Sequence, residues 1–277
     1  MRIPLVLAAF LLVSFRAVAV EEVASAPAFA QAETAAGGAL DFVFGDERPF
    51  AQCHASTIVQ TENGDLLCAW FGGKEEADSG VGIWWSRYAG GVWAAPALAA
   101  KVKEEAHWNP VLFRDKDGRL YLFFKVGVDV PHWSTWWMSS VDDGKTWSAP
   151  VELIPGDVGG RGPVKDKPIV LSDGAWLAPA SIEEPGKHGR WRPFADRSED
   201  GGKTWGRSAE WAIDTSQKKL KGPGAIQPTF WESAPGKVSA LMRSGYGRIW
   251  RAESEDYGKT WSPVAVTELP NNNSGID

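Results

Sequence analysis

The stretch "GGKEEADSG" puts three carboxylates, Glu75, Glu76 and Asp78, into one glycine-bounded loop. Other residues able to do chemistry are scattered along the chain: His54 in "CHAST", Asn109 in "WNPV", Lys165 and Lys167 in "VKDKPIV", Gln227 in "IQPTF" and Arg243 in "LMRSGYGR". Carboxyl and imidazole groups held close together shift one another's proton affinities, which suits acid–base work. The cations could meanwhile grip an acidic ligand. Glu75, Glu76, Asp78, His54, Arg243, Gln227, Lys165, Lys167 and Asn109 are therefore the candidate site residues. Alternation along a strand turns Lys165 and Lys167 to one side, where they could bind an acidic sugar or simply pair with the neighbours of Asp166 or with solvent. Loops are also polar simply because they are wet, so what matters is whether the fold brings these residues together.

The elements that must do so announce themselves by repetition. "SVDDGKTW" from Ser140 recurs as "SEDGGKTW" from Ser198 and "SEDYGKTW" from Ser254, with a worn copy, "SRYAGGVW", from Ser86. The serines step by 54, 58 and 56 residues, a period suited to a four-stranded propeller blade. Between boxes, short β-branched and aromatic runs alternate with turn residues, as in "STIVQTENGDLLCAWF", and no long stretch has helical periodicity. The expectation is an all-β propeller of up-and-down meanders. Within a box, Asp can bond the amides of its own turn, Gly supplies a positive φ, and Trp offers a large face to bury between sheets. Identical acids at every repeat belong to a frame, since one active site needs no three copies.

In an a-b-c-d meander the a–b and c–d turns share one rim, while b–c loops and d–a links share the other. The boxes read as c–d turns, and "ENGD", "DKDG", "LSDG" and "SAPG" as a–b turns, all on one rim. The opposite rim receives the loops "GGKEEADSG", "GVDVPH", "SIEEPGKHGR" and "RSGYGR", and the starts of the innermost strands at "CHAST", "WNPV", "DKPIV" and "IQPTF". That rim collects Glu75, Glu76, Asp78, His132, Glu183, Glu184, His188, Arg243 and Arg248 around His54, Asn109, Lys167 and Gln227. Prolines at three of the strand starts are tolerated, because a first residue loses little by lacking an N–H.

The boxes, their spacing and the strand pattern resemble the sialidase superfamily, whose repeats are called Asp boxes or BNR repeats and whose fold is a six-bladed β-propeller. The resemblance covers roughly residues 45–277, and "HASTIV", "AWFGG", "WNPVLF", "KVG", "GAIQP" and "NSGID" bring it nearest to a bacterial group of predicted neuraminidases. It implies an exo-α-sialidase-type glycoside hydrolase acting on terminal acidic sugars of glycans. The family holds a substrate carboxylate with three arginines, uses an Asp as acid/base and a Tyr activated by Glu as nucleophile, a departure from the two-carboxylate glycosidase scheme. Here "HAS" puts His54 where the first arginine would stand, and "IQP" puts Gln227 where the Glu would stand; Arg243 matches the second arginine. The acid/base position falls in "GGKEEADSG": Glu76 by likeness to the group's loop, Asp78 by residue type. The third arginine and the Tyr come later in the family than "NSGID", so the chain is expected to hold four blades and the start of a fifth. Only Tyr246 among its tyrosines lies on the site rim. Two other functions stay open: a different sugar-active enzyme, such as a lyase with His54 as general base, and a non-catalytic glycan-binding propeller, to which Gln227 points.

The N-terminal "MRIPLVLAAFLLVSFRAVA" sets one arginine before an apolar run, followed by small residues. It reads as a secretory signal, cleaved after Ala19 or Ala26, because about 20 apolar residues are needed to span a bilayer. An Ala-rich leader without β-pattern follows, to residue 40, and the propeller occupies 41–277. The expected location is periplasmic or extracellular, without a membrane partner after cleavage. A net charge of −6 argues against nucleic acid. No cofactor is expected: the four histidines lack ligand spacing, and "GGRGP" from Gly159 precedes no helix start. Cys53 and Cys68 fall out of register in a hairpin turning at "ENGD", Cys68 lying opposite about position 59, so both are expected as buried thiols. Most of the 16 tryptophans are expected in the core, with Trp108 or Trp133 the ones to meet a ligand.

Overall fold

A computed structural model describes residues 32–33, 39–184, 189–213 and 223–277. The signal segment and His188 lie outside the described residues. In the leader, where no β-pattern was evident, β1 (Ala32–Glu33) pairs antiparallel with β2 (Ala39–Leu40).

Four antiparallel sheets follow, each a meander in chain order. Blade 1 is β3 (Gln52–Gln60), β4 (Leu66–Gly73) and β5 (Gly82–Ala89), edged by β6 (Val92–Trp93) and β7 (Ala97–Ala100), both paired to β5. Blade 2 is β8 (His107–Arg114), β9 (Leu120–Val126), β10 (Ser134–Ser140) and β11 (Val151–Glu152). Blade 3 is β12 (Ile169–Val170), β13 (Trp176–Glu183), β14 (Trp191–Ser198) and β15 (Gly206–Arg207). Blade 4 is β16 (Ala225–Ala234), β17 (Lys237–Ser244), β18 (Arg248–Ser254) and β19 (Ala265–Pro270). Among the described residues the one helical turn is a 3-10 segment, Val130–His132, between β9 and β10.

Local chemistry makes the box turns. Asp142 accepts from the amides of Lys145 and Thr146 at 3.1 and 2.9 Å and from the Thr146 hydroxyl at 2.6 Å. Asp200 repeats this with Lys203 and Thr204, and Asp256 with Thr260. The threonine bonds hold the carboxyls of Asp142 and Asp200 down at about 2, as bonds to the charged form must. The aspartates are therefore occupied as fasteners. The tryptophans of the three full boxes, Trp147, Trp205 and Trp261, each donate to the glycine carbonyl of their own turn, as Trp147 does to Gly144 at 3.1 Å. Their faces then pack on aromatic neighbours: Trp147 on Trp85 of blade 1, and Trp261 on Trp211 and Phe230 with centroids 4.2 and 5.3 Å apart.

The core lies between blades. Leu112, Leu122 and Phe124 of blade 2 bury against Leu67, Ala69 and Phe71 of blade 1, and Val238, Met242 and Trp250 of blade 4 against Leu171 and Leu177 of blade 3. Each such side chain contributes about 1.5–3 kcal/mol on leaving water. Trp108 and Trp133 belong to this core, 6% and 3% exposed and edge to face at 6.0 Å, so the expectation that they meet a ligand fails. Burial of their large apolar faces outweighs access to solvent.

The cysteine register holds: Cys68 lies opposite Ile58 and Cys53 opposite Gly72. Both thiols are free, but only Cys68 is buried. Cys53 is exposed together with its neighbours Gln52 and His54, just before the bulge in the innermost strand.

Candidate functional site

The two rims separate as the meander requires. On the box rim, the Asp143 carboxylate accepts from the Glu62 amide at 2.8 Å, Arg87, held by Asp65 of its own blade, donates to the Asp143 carbonyl, and Glu232 accepts from Ser172. Boxes and a–b turns thus lace neighbouring blades together. Glu76, Glu183, Arg243, Lys165 and Lys167 lie at the opposite ends of the strands.

That end is built on a repeated irregularity. Ala55, Asn109 and Gln227 have φ of 54°, 33° and 55°, each at a register shift in its innermost strand: His54/Thr57, Trp108/Val111 and Ile226/Pro228. The residue before a proline normally prefers extended backbone, so Asn109 and Gln227 hold their left-handed conformation against local preference. Such bulges re-aim side chains and gather at functional sites. Asn273 repeats the feature with φ 67°; Lys167 is not among these residues.

Arg243, at the end of β17, donates to Gln227 Oε1 at 3.3 Å and to Asn273 Oδ1 at 3.0 Å, and its guanidinium lies 5.3 Å from the Trp191 ring centroid. Both acceptors are amides. Among the described residues no carboxylate comes within ion-pair distance of it. Lys165 donates to Asp166 at 2.8 Å and to the Ile276 carbonyl at 3.3 Å, while Lys167 pairs with Asp277 at 3.2 Å. The segment Asn271–Asp277 therefore crosses the mouth, anchored by buried Asn271, which accepts from the Ser244 and Asn273 amides. The Asp166 side chain is fully buried and one of its oxygens has no partner. Burial, offset in part by Lys165, pushes its carboxyl up to about 7.

On the blade 1 side, a cavity of about 60 Å³ is lined by Cys53, His54, Phe71, Glu75, Glu76 and Val81, and the His54 ring tilts against Phe71 at 5.7 Å. The structure separates the loop's carboxylates. Glu75 and Glu76 line the cavity, whereas Asp78 accepts from the Gly80 amide at 2.7 Å and its charge acts on Lys101. Glu76 also acts on Glu183, the last residue of β13, as does Arg243. Burial raises the Glu183 carboxyl above its usual range, Arg243 opposes the rise and Glu76 adds to it.

Other residues of this rim stay apart. His132 is exposed and bound to Asp129 at 2.6 Å, Glu184 pairs with Arg192, and Arg248 donates to the Glu268 carbonyl. Tyr246 stacks on Trp250 at 4.9 Å. Sequence reading gave no role to Lys125, which is wholly buried, bonded to Thr135 and the Arg161 carbonyl, and lowered to about 7 by desolvation. Nor did it foresee Asp196, which receives Arg161 and the Gly162 amide. Both sit between blades 2 and 3, and only the odd "KVG" and "FAD" polar residues inside apolar strands hinted at them.

Comparisons with known proteins fit this architecture. The BNR repeat-like domain model matches residues 64–277. No curated protein matches. Among solved structures, a Dyadobacter fermentans protein of unknown function aligns with TM-score 0.65 and 18% identity over 79% of this chain and 70% of its own. The Hadza microbial sialidase Hz136 aligns with TM-score 0.64 and 18% identity over 81% and 48%. NanB sialidase of Streptococcus pneumoniae aligns with TM-score 0.64 and 14% identity over 84% and 54%. The chain thus spans about half the length of these two sialidases, and at such identities the likeness is one of fold. With the family model covering most of the propeller and the four blades in place, the chain belongs to the BNR repeat-like domain family.

Proposed function

We propose that the protein is an exported glycoside hydrolase of sialidase type, acting on terminal acidic sugars of glycans at the rim opposite the boxes. The observation that carries this reading is Arg243: partly buried, stacked over Trp191, bonded only to amide oxygens and without a carboxylate partner among the described residues. A guanidinium so held is a preformed seat for a carboxylate. Lys165 and Lys167 add cations beside it, and Lys167 already holds a carboxylate, that of Asp277. Glu76 supplies an acid/base group across the mouth, with His54 and Glu75 on the same cavity wall; Asp78, turned to its own loop, is the weaker candidate. Asn109 and Gln227 line the mouth from their bulges. Export rests on the N-terminal sequence alone, and N-terminal sequencing of protein recovered from a host's periplasm tests it.

The test of function is release of sugar from fluorogenic sialosides and glucuronides by the full chain. Arg243→Ala should weaken binding of these anionic substrates by at least about tenfold, the worth of one charge-assisted bond of about 1.5–3 kcal/mol. Equal affinity for acidic and neutral glycosides would count against the carboxylate seat. The amide of Gln227, standing where the resemblance calls for a carboxylate, favours a second reading: a propeller that binds glycans without cleaving them. Binding without turnover, unaffected by Glu76→Gln, would select it. A product with the ultraviolet absorbance of a new double bond would instead mark a lyase.

A further inference from the structure

Gln227 cannot carry a proton, yet it lies beside a carboxyl that can. The Gln227 backbone N–H donates to the Ser181 hydroxyl at 3.3 Å, and Ser181 and Glu183 share one face of β13 by alternation. Glu183 is paired in register with Trp191, the ring over which Arg243 lies, and Arg243 in turn bonds Gln227. Ser181, Glu183, Trp191, Arg243 and Gln227 thus form one contiguous patch contributed by blades 3 and 4. Glu183 is partly buried, and among the described residues its carboxyl makes no hydrogen bond or ion pair, although Arg243 stands near enough to act on it. Its neighbour Glu184 is engaged elsewhere by Arg192.

Resting on the hydrolase reading above, we infer that Glu183 is a catalytic residue of this site, the general acid that works opposite Glu76. In the step it would perform, the Glu183 carboxyl gives its proton to the glycosidic oxygen as the bond from that oxygen to the anomeric carbon breaks. A water oxygen bonds to the anomeric carbon and passes its proton to the Glu76 carboxylate. Glu183 then regains a proton from solvent and Glu76 releases one. The charged groups facing Glu183 are Arg243 from β17 and Glu76 from the β4–β5 loop. Burial and Glu76 raise the Glu183 carboxyl above its usual range, Arg243 opposes the rise, and Glu76 is exposed, where water is at hand.

The experiment compares wild type, Glu183→Gln and Glu76→Gln on 4-methylumbelliferyl N-acetylneuraminide, whose leaving group needs no acid, and on 3'-sialyllactose, whose leaving group does. Glu183→Gln should cut kcat/KM on sialyllactose by about 10²–10⁴, spare the umbelliferyl substrate by comparison, and abolish the alkaline limb of the pH profile. Glu76→Gln should instead abolish the acid limb. Glu183→Asp, which keeps a carboxyl, should retain a displaced alkaline limb at reduced rate, and it stands in if the glutamine variant does not fold. Active wild type with both limbs intact in Glu183→Gln, or equal losses on the two substrates, overturns the role of Glu183 alone. Wild type inert towards these substrates and towards the matching glucuronides overturns the hydrolase reading and this role with it.

Discussion

Replacing Asp166 by Asn should stabilise the protein at pH 8, although it deletes one half of an ion pair. The side chain is fully buried, one oxygen takes Lys165 at 2.8 Å, and the other has no partner. Its carboxyl is raised from 3.8 to about 7, roughly three units at about 1.4 kcal/mol each, or about 4 kcal/mol. The unfolded carboxyl gives up its proton near 3.8 and the folded one only near 7, so the native state binds more protons between these values. Stability therefore falls as pH rises through that window, and the full cost is present above it. Asparagine is neutral throughout and escapes this cost, with about 1 kcal/mol returned because the amide's NH2 group must find an acceptor. Urea unfolding followed by tryptophan fluorescence should show the variant slightly the weaker at pH 4, by no more than about 1 kcal/mol, and the stronger by roughly 3 kcal/mol at pH 8, a midpoint shift of about 1 M. A wild-type profile flat from pH 4 to 8, with the variant the weaker at pH 8, would mean that the ionised Lys165–Asp166 pair is net stabilising, and would refute the reasoning.

Maleimide labelling of native protein at pH 7.5 should modify Cys53 rapidly and leave Cys68 untouched, because Cys53 is exposed while burial pushes the Cys68 thiol up to about 11; mass spectrometry of the tryptic peptides reads the outcome. Trp261→Ala should destabilise by about 3 kcal/mol or more, since it removes the stack on Trp211 and Phe230 that seals the fourth box turn. The loss should be measurable as a lower urea midpoint.

Much of the molecule was legible in the chain because its signals are local. An Asp whose acceptors are filled by amides three and four residues on, a glycine at positive φ and an alternating strand need no distant partner, so the octapeptides fixed the turns, the meander and the box rim. From the meander alone it followed which loops share the other rim with Arg243 and Glu76. Cys68 lay one position from its expected partner for the same reason.

Matters of relative placement were decided by tertiary structure. Glu76 and Asp78 stand two positions apart, and only the folding of their loop turns one to the mouth and the other back on Gly80. Glu183 looks like any loop acid until blade 4 brings Arg243 beside it and blade 1 brings Glu76. The left-handed bulges at Ala55, Asn109 and Gln227 run against local preference, and only the register of the paired strands reveals them. Desolvation, which raises Asp166 and lowers Lys125, depends on what several sheets jointly exclude. Sequence sets what each segment does by itself; the chemistry of this rim comes from charges that distant segments impose on one another.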